Sequence, residues 1–145
     1  MIFSLQELFS DKQAITATVV STNIIDLKAP QTPYGAKAAV YQDVGKGNPV
    51  PILVQVTEAF NTLTSLTITI ETSANSDLSS PKVLASQTIL LADLKVGKQL
   101  TIQWLPVEAD RRYLGIRYTV AGTNPTLGRV TAGITMGNQT NRLNV

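Results

Sequence analysis

Arg112-Tyr113-Leu114-Gly115-Ile116-Arg117-Tyr118-Thr119-Val120 decides how this chain is read. Leu114, Ile116, Tyr118 and Val120 fall on one side of a period-2 pattern, and Tyr113, Gly115, Arg117 and Thr119 fall on the other. Successive side chains of a strand point to opposite faces. Strict alternation over this length therefore predicts a half-buried strand, one face in a core and the other available for contact. The available face carries an arginine and an aromatic ring, and the charged run Glu108-Ala109-Asp110-Arg111 leads into it.

The same signal recurs on both sides. Leu66, Ile68 and Ile70 alternate with threonines, whose branched carbon favours extended backbone and whose hydroxyl tolerates water. Pro51–Thr57 reads as a strand with Ile52, Val54 and Val56 inward; Pro51 belongs at its start because it cannot donate to a ladder. Val83–Leu91 is another β-rich run. Leu100, Ile102 and Trp104 alternate with Thr101 and Gln103, which makes the lone Trp104 a core anchor, and Pro106 ends that strand. The last strand is Val130–Met136, with Val130, Ala132, Ile134 and Met136 inward. Near the start, Ala14–Val20 is β-branched, Ser21-Thr22-Asn23 interrupts it, and Ile24–Leu27 resumes, giving two short strands or one bent strand. Turn clusters at 73–81, 92–98 and 121–126 separate these runs.

About eight strands with turn signals between them predict an all-β protein, an antiparallel β-sandwich of jelly-roll type in a single domain. Periodicity does not fix strand order, so an up-and-down barrel satisfies it too. The expected organisation is an N-terminal arm at 1–13, a sandwich at 14–136 with a long loop at 28–49, and a C-terminal tail at 137–145. In the arm, Ile2, Leu5, Leu8 and Phe9 lie near helical spacing, consistent with one helical turn, a segment packed on its own core, or an arm reaching a neighbour. A loop as long as 28–49 inside a compact domain is usually functional or mobile.

Composition removes most chemistry. With no histidine, the chain lacks the commonest general base, transition-metal ligand and pH switch; with no cysteine, it has neither disulfide nor thiolate. Gly45-Lys46-Gly47 lacks P-loop spacing and reads as a turn. Asn75 and Asp77 have the spacing that opens a calcium loop, but the glycine and distal glutamate are missing. Glu108 and Asp110 read as solvated partners of Arg111 and Arg112 rather than a catalytic pair. No enzyme, cofactor or metal site is expected.

Twelve basic residues against ten acidic ones are scattered, and Arg111-Arg112 is the only adjacent basic pair, so no nucleic-acid partner is expected. No apolar run approaches the ~20 residues of a membrane helix, so no membrane partner is expected. Glu7 and Asp11 follow Ile2, Phe3 and Leu5 at once, unlike a secretory signal. Charged residues make up 15%, against the usual ~25%. Such a weakly charged surface suits life in an assembly, and equally a neutral Thr-rich β domain.

A family likeness runs through Phe9–Thr18, Ser21–Leu27, Leu66–Thr72, Leu78–Ser86, Ala92-Asp93-Leu94, Arg112-Tyr113-Leu114, Tyr118-Thr119-Val120 and the last strand. In these the chain resembles the jelly-roll capsid cement, or decoration, proteins of tailed bacteriophages, of the kind found on the Bordetella phage capsid. The 28–49 segment is longer than that family leads one to expect, and the 137–145 tail lies outside the likeness. The resemblance implies a structural protein on the outer capsid surface of a virion, bridging major capsid proteins. It also implies a homo-oligomer, a dimer first and a trimer second. The residues expected to make capsid or subunit contacts are Ile2, Phe3 and Leu5 in the arm, Tyr34 and Tyr41 in the long loop, and Arg111, Arg112, Tyr113 and Arg117. Their exposed apolar, aromatic and arginine character is the kind enriched in interface cores. The competing expectations are a carbohydrate- or host-surface-binding jelly-roll module, with Tyr34 and Tyr41 as its platform, and a tail or baseplate component.

Overall fold

The computed structural model describes residues 2–42 and 44–137. In chain order its strands are β1 (Phe3–Ala14), β2 (Val19–Val20), β3 (Ile25–Asp26), β4 (Ile52–Glu58), β5 (Leu63–Ser73), β6 (Lys82–Leu90), β7 (Tyr113–Gly122) and β8 (Arg129–Thr135); one 3-10 turn spans Leu91–Asp93. They form two antiparallel sheets that pack face to face. The first has the order β1-β8-β4. The second runs β2-β7-β5-β6, with β3 also on β7.

The 97–105 segment extends the first sheet. Gly97 and Leu100 donate to the carbonyls of Val56 and Val54, while Ile52 and Val56 donate to those of Gln103 and Lys98. Backbone pairing thus supplies the predicted strand position, although the bonds are too scattered for a continuous ladder. With it, the sheets read β1-β8-β4-(97–105) and (β2,β3)-β7-β5-β6. The chain crosses repeatedly between them, which is the paired Greek-key path of a jelly roll.

The opening stretch becomes β7, the centre of the second sheet. Leu114, Ile116 and Tyr118 are fully buried, as are Leu66, Ile68 and Ile70 of the adjoining β5. Ile52, Val54, Val56, Val130 and Ala132 oppose them from the first sheet. Each buried aliphatic contributes roughly 1.5–3 kcal/mol. Tyr118 brings a hydroxyl into this core, and burial pushes its pKa up. Ser10 gives its single hydroxyl hydrogen to Gln13 Oε1 (2.7 Å), so Tyr118 donates to Ser10 Oγ (2.8 Å). Gln13 in turn donates to the Val20 carbonyl and accepts from the Thr22 amide. This network ties β1 to the second sheet without an unpaired polar group.

Several expectations change. Where an arm or helical turn is expected, Phe3–Ala14 form β1, bulged against β8, with Lys12 in the left-handed region at φ 46°. Of Ala14–Val20, Ala14 closes β1, Val19 and Val20 form β2, and the residues between them turn the chain. Within the long loop, Gln31 and Val40 form an isolated antiparallel bridge. Met136 is exposed rather than inward, being one step past the end of β8.

The outer faces are also less open than alternation implies. Beside Arg117, the position of Gly115 is covered by Leu78, a fully buried residue from the 74–81 loop; a side chain at Gly115 collides with Leu78 Cδ1. On the first sheet, outward-facing Leu53 is buried, and Phe3 and Leu8 close over its cross-strand partner Gly133. Each sheet thus carries a small apolar satellite outside the main core.

Candidate functional site

The strand connections divide between two ends of the sandwich. Residues 15–18, 59–62, 91–97 and 123–128 turn the chain at one end. The long 27–51 segment, the 74–81 and 106–112 loops and the outer ends of β1 and β8 lie at the other. We refer to these as the turn end and the loop end.

At the turn end, the connections bind one another. Asn61 Oδ1 accepts from the amides of Thr126 (2.9 Å) and Leu127 (3.0 Å), and its Nδ2 donates to Thr126 Oγ1 (2.8 Å). Thr62 Oγ1 donates to the Asn124 carbonyl, and Ile15 to that of Gly128. Gly128, at φ 133°, lies flat against the Phe60 ring, where no Cβ fits.

At the loop end, apolar side chains face solvent. Register places Phe3, Thr135, Pro51 and Trp104 side by side across the first sheet: Phe3 pairs with Thr135, the Thr135 amide donates to the Pro51 carbonyl (3.0 Å), and Pro51 bridges to Trp104. Ile2 and Met136 stand one step beyond. Ile2 is 72% exposed, Met136 87% and Trp104 49%; Leu5, nearby on β1, is 83% exposed. Phe3 itself is half-buried over Gly133. Trp104 is therefore not the core anchor that alternation predicts. The register slips near the end of the segment, Leu105 donates to the Val50 carbonyl, and Leu105 takes the buried place.

The second sheet brings arginines to the same end. Arg112 grips Asp26 with two parallel bonds of 2.8 Å, Nε to Oδ1 and Nη2 to Oδ2. This fork geometry is the strongest arrangement for such a pair. Its guanidinium lies 4.9 Å from the Tyr113 ring centre, within cation–π range. Hydrogen bonding from Arg112, with help from the Lys28 amide, holds the Asp26 carboxyl down at about 2, and Asp26 raises Arg112 in return. Arg111 donates to the Ser80 carbonyl (2.9 Å).

The expected acidic partners of these arginines belong instead to a lysine. Lys82 Nζ lies 3.2 Å from Asp110 and 3.7 Å from Glu108, and its hydrogen bond lowers the pKa of Asp110. The correction has a simple cause: β6 begins at Lys82 beside the 106–112 loop, a juxtaposition that sequence order hides.

Tyr41, Arg111 and Arg112 come together with Leu27 and Pro30 around a notch of about 70 Å³. That is far below the roughly 300 Å³ at which small-molecule pockets begin. Tyr41 is exposed, and Tyr34 stands wholly in solvent farther along the same loop. Of the predicted contact residues, Ile2, Phe3, Leu5, Tyr34, Tyr41, Arg111, Arg112 and Tyr113 all lie at the loop end. Arg117 does not. It sits mid-strand, ion-paired with buried Glu71 (3.0 Å) and donating to the Leu78 carbonyl (3.1 Å). Trp104 and Met136 join the surface unpredicted; the Leu105-Pro106 step that ends the strand is the one sequence signal that the alternation had stopped.

Among the described residues, no group of three or more His, Cys, Asp or Glu is placed to hold a metal ion. Asp77 accepts from the Ser79 amide and Asn75 donates to Ser79 Oγ, so both serve a local turn. No described helix is long and apolar enough to cross a membrane.

The chain is an all-β protein of the jelly-roll sandwich class, with the exposed aromatic residues Tyr34, Tyr41 and Trp104 at its loop end, while Leu90, Val96 and Leu127 are the large apolar residues exposed at or near the turn end. More particularly, the chain belongs to the Bbp16 family, a family of phage proteins, whose model matches residues 9–134. The match takes in nearly the whole sandwich and leaves out Ile2, Phe3 and Leu5. No curated protein matches the chain.

Proposed function

We propose that this protein is a structural cement or decoration protein of a phage virion, seated on the outer capsid surface, where its loop end binds major capsid proteins and stabilises their contacts. The observation that carries this reading is the concentration of exposed Ile2, Leu5, Tyr34, Tyr41, Trp104 and Met136 at the end that also holds Arg111, Arg112 and Tyr113. Interfaces draw their binding energy from a few aromatic and arginine anchors. The role is structural, with no catalytic step, cofactor, nucleic acid or membrane. Arg117 serves by fixing the 74–81 loop rather than by touching the partner.

The stabilisation follows from mass action. A protein that binds the assembled shell and not its dissociated subunits stabilises the shell by its binding free energy. A homo-oligomer, dimeric first and trimeric second, multiplies that effect by engaging several lattice sites at once. The test compares heat resistance of capsids with and without the protein. The expected result is a higher disruption temperature for decorated shells; identical shells, or protein found only on the tail, overturn the proposal.

A further inference from the structure

Arg111 and Arg112 are neighbours in sequence but not equals in chemistry. Arg112 is committed to the fold: its fork closes on Asp26, and its guanidinium lies over the Tyr113 ring. Arg111 gives one hydrogen bond to the neutral Ser80 carbonyl, which leaves most of its donors unused. Among the described residues, ion pairs engage Lys82, Arg112, Arg117 and Arg129, but neither Arg111 nor Lys28.

The long loop brings these two cations to one place. Gln31 and Val40 exchange backbone bonds of 3.2 and 2.8 Å, which makes the loop around them a narrow hairpin. Lys28, at φ 74°, stands at its base, where the chain leaves β3. Alternation along the arms sets Gln31 and Val40 on one face and Pro30 and Tyr41 on the other, turned toward the arginines. The notch between hairpin and arginines is therefore lined by four charged residues: Lys28, Asp110, Arg111 and Arg112. Asp110 is held by Lys82 and Arg112 by Asp26. The two charges left without an ion pair, Lys28 and Arg111, are both positive.

We propose that this notch receives an aspartate or glutamate side chain of a major capsid protein, read by Lys28 and Arg111 beside Tyr41, while Arg112 positions the notch wall. At about 70 Å³ the notch has room for a few water molecules or one carboxylate. What enters it is thus one side chain of a larger partner rather than a whole small ligand. Guanidinium donors match a carboxylate in geometry as well as in charge. A phosphate backbone is disfavoured, because it calls for a clustered basic face and the cations of this chain are scattered.

The inference rests on the proposed function and names the chemistry that the loop end meets there. Its test measures binding to capsids freed of this protein, on untreated shells and on shells whose surface carboxylates have been converted to neutral amides with a carbodiimide and glycinamide. Native affinity is expected to fall about tenfold or more on blocked shells. The double variant Lys28→Gln with Arg111→Gln is expected to show a similar loss on untreated shells, and the two losses are expected not to multiply when combined, since each removes one side of the same contact. Lys28→Gln alone is expected to show part of the loss with an unchanged melting temperature, because the Lys28 ammonium makes no ion pair in the fold. Native binding that survives blocking, or losses that multiply as independent ones do, overturns the carboxylate contact. A native protein that ignores untreated shells overturns the proposed function, and this inference with it.

Discussion

The two ends of this sandwich solve opposite problems with the same eight strands. At the turn end, Asn61 binds two amides and a hydroxyl of the 123–128 turn, and Gly128 presses on Phe60. Polar groups there are turned inward on the chain. At the loop end, Trp104, Met136, Ile2 and Leu5 of the first sheet are left in water, and the second sheet brings the Arg112–Asp26 pair to the same end. Exposed large apolar residues in one place mark a contact surface more often than isolated ones do. The difference teaches that both ends are tied by polar side chains, but the exposed aromatic residues Tyr34, Tyr41 and Trp104 stand at the loop end, whereas the turn end exposes the aliphatic residues Leu90, Val96 and Leu127.

This contrast can be broken in graded steps. The largest expected effect is on the scaffold. Arg117→Ala leaves the Glu71 carboxylate, only 4% exposed, without its cation; breaking such a pair costs about 3 kcal/mol. For a domain this size the melting temperature is expected to fall by about 10 °C, read by calorimetry. A fall no larger than that of a surface control would return Arg117 to the contact surface. Next is Gly128→Ala at the turn end, where a positive φ and the Phe60 ring oppose any side chain; a loss of about 2 kcal/mol is expected, with capsid binding of the folded protein unchanged.

Loop-end changes are expected to do the reverse. Trp104→Ala and Arg112→Ala each lower capsid affinity about tenfold or more, as anchor residues do, while melting curves barely move. Equal loss of stability and binding would dissolve the distinction between the ends. Acid supplies a finer test. The folded Asp26 value of about 2 lies below its usual 3.8, so the charged form favours the folded loop end. That contribution is complete above pH 3.8 and fades as pH falls towards 2. Capsid binding is expected to hold down to about pH 4 and to weaken below it, and Asp26→Asn is expected to remove that step. The smallest effect is expected from Leu127→Ser, an exposed change at the turn end: neither stability nor occupancy moves.

Alternation revealed the strands because a period of two is a local property. Leu66–Ile70 and Leu114–Tyr118 sit where their pattern places them. It failed where a distant segment intervened. Leu78 folds over Gly115 from another loop, and Trp104 is displaced outward because Leu105 bonds to Val50. β1 was hidden because its bulges break the period, leaving a spacing that mimics a helix. One practical consequence is that deleting residues 1–12 removes a strand of the sheet, so Ile2→Ser with Leu5→Ser is the fairer probe of contact. The candidate surface was legible residue by residue from aromatic and arginine content. Its gathering at one end was not, since it follows from strand order.

The central claim is that the loop end, rather than the turn end, meets the capsid. A cryo-electron microscopy map of the decorated particle, at a resolution that orients the sandwich, tests it most directly. The expected map shows Trp104, Tyr41 and Arg112 against major capsid protein and the Asn61–Thr126 turns facing solvent. Density with the turn end against the shell, or with the protein absent from the capsid surface, contradicts the account.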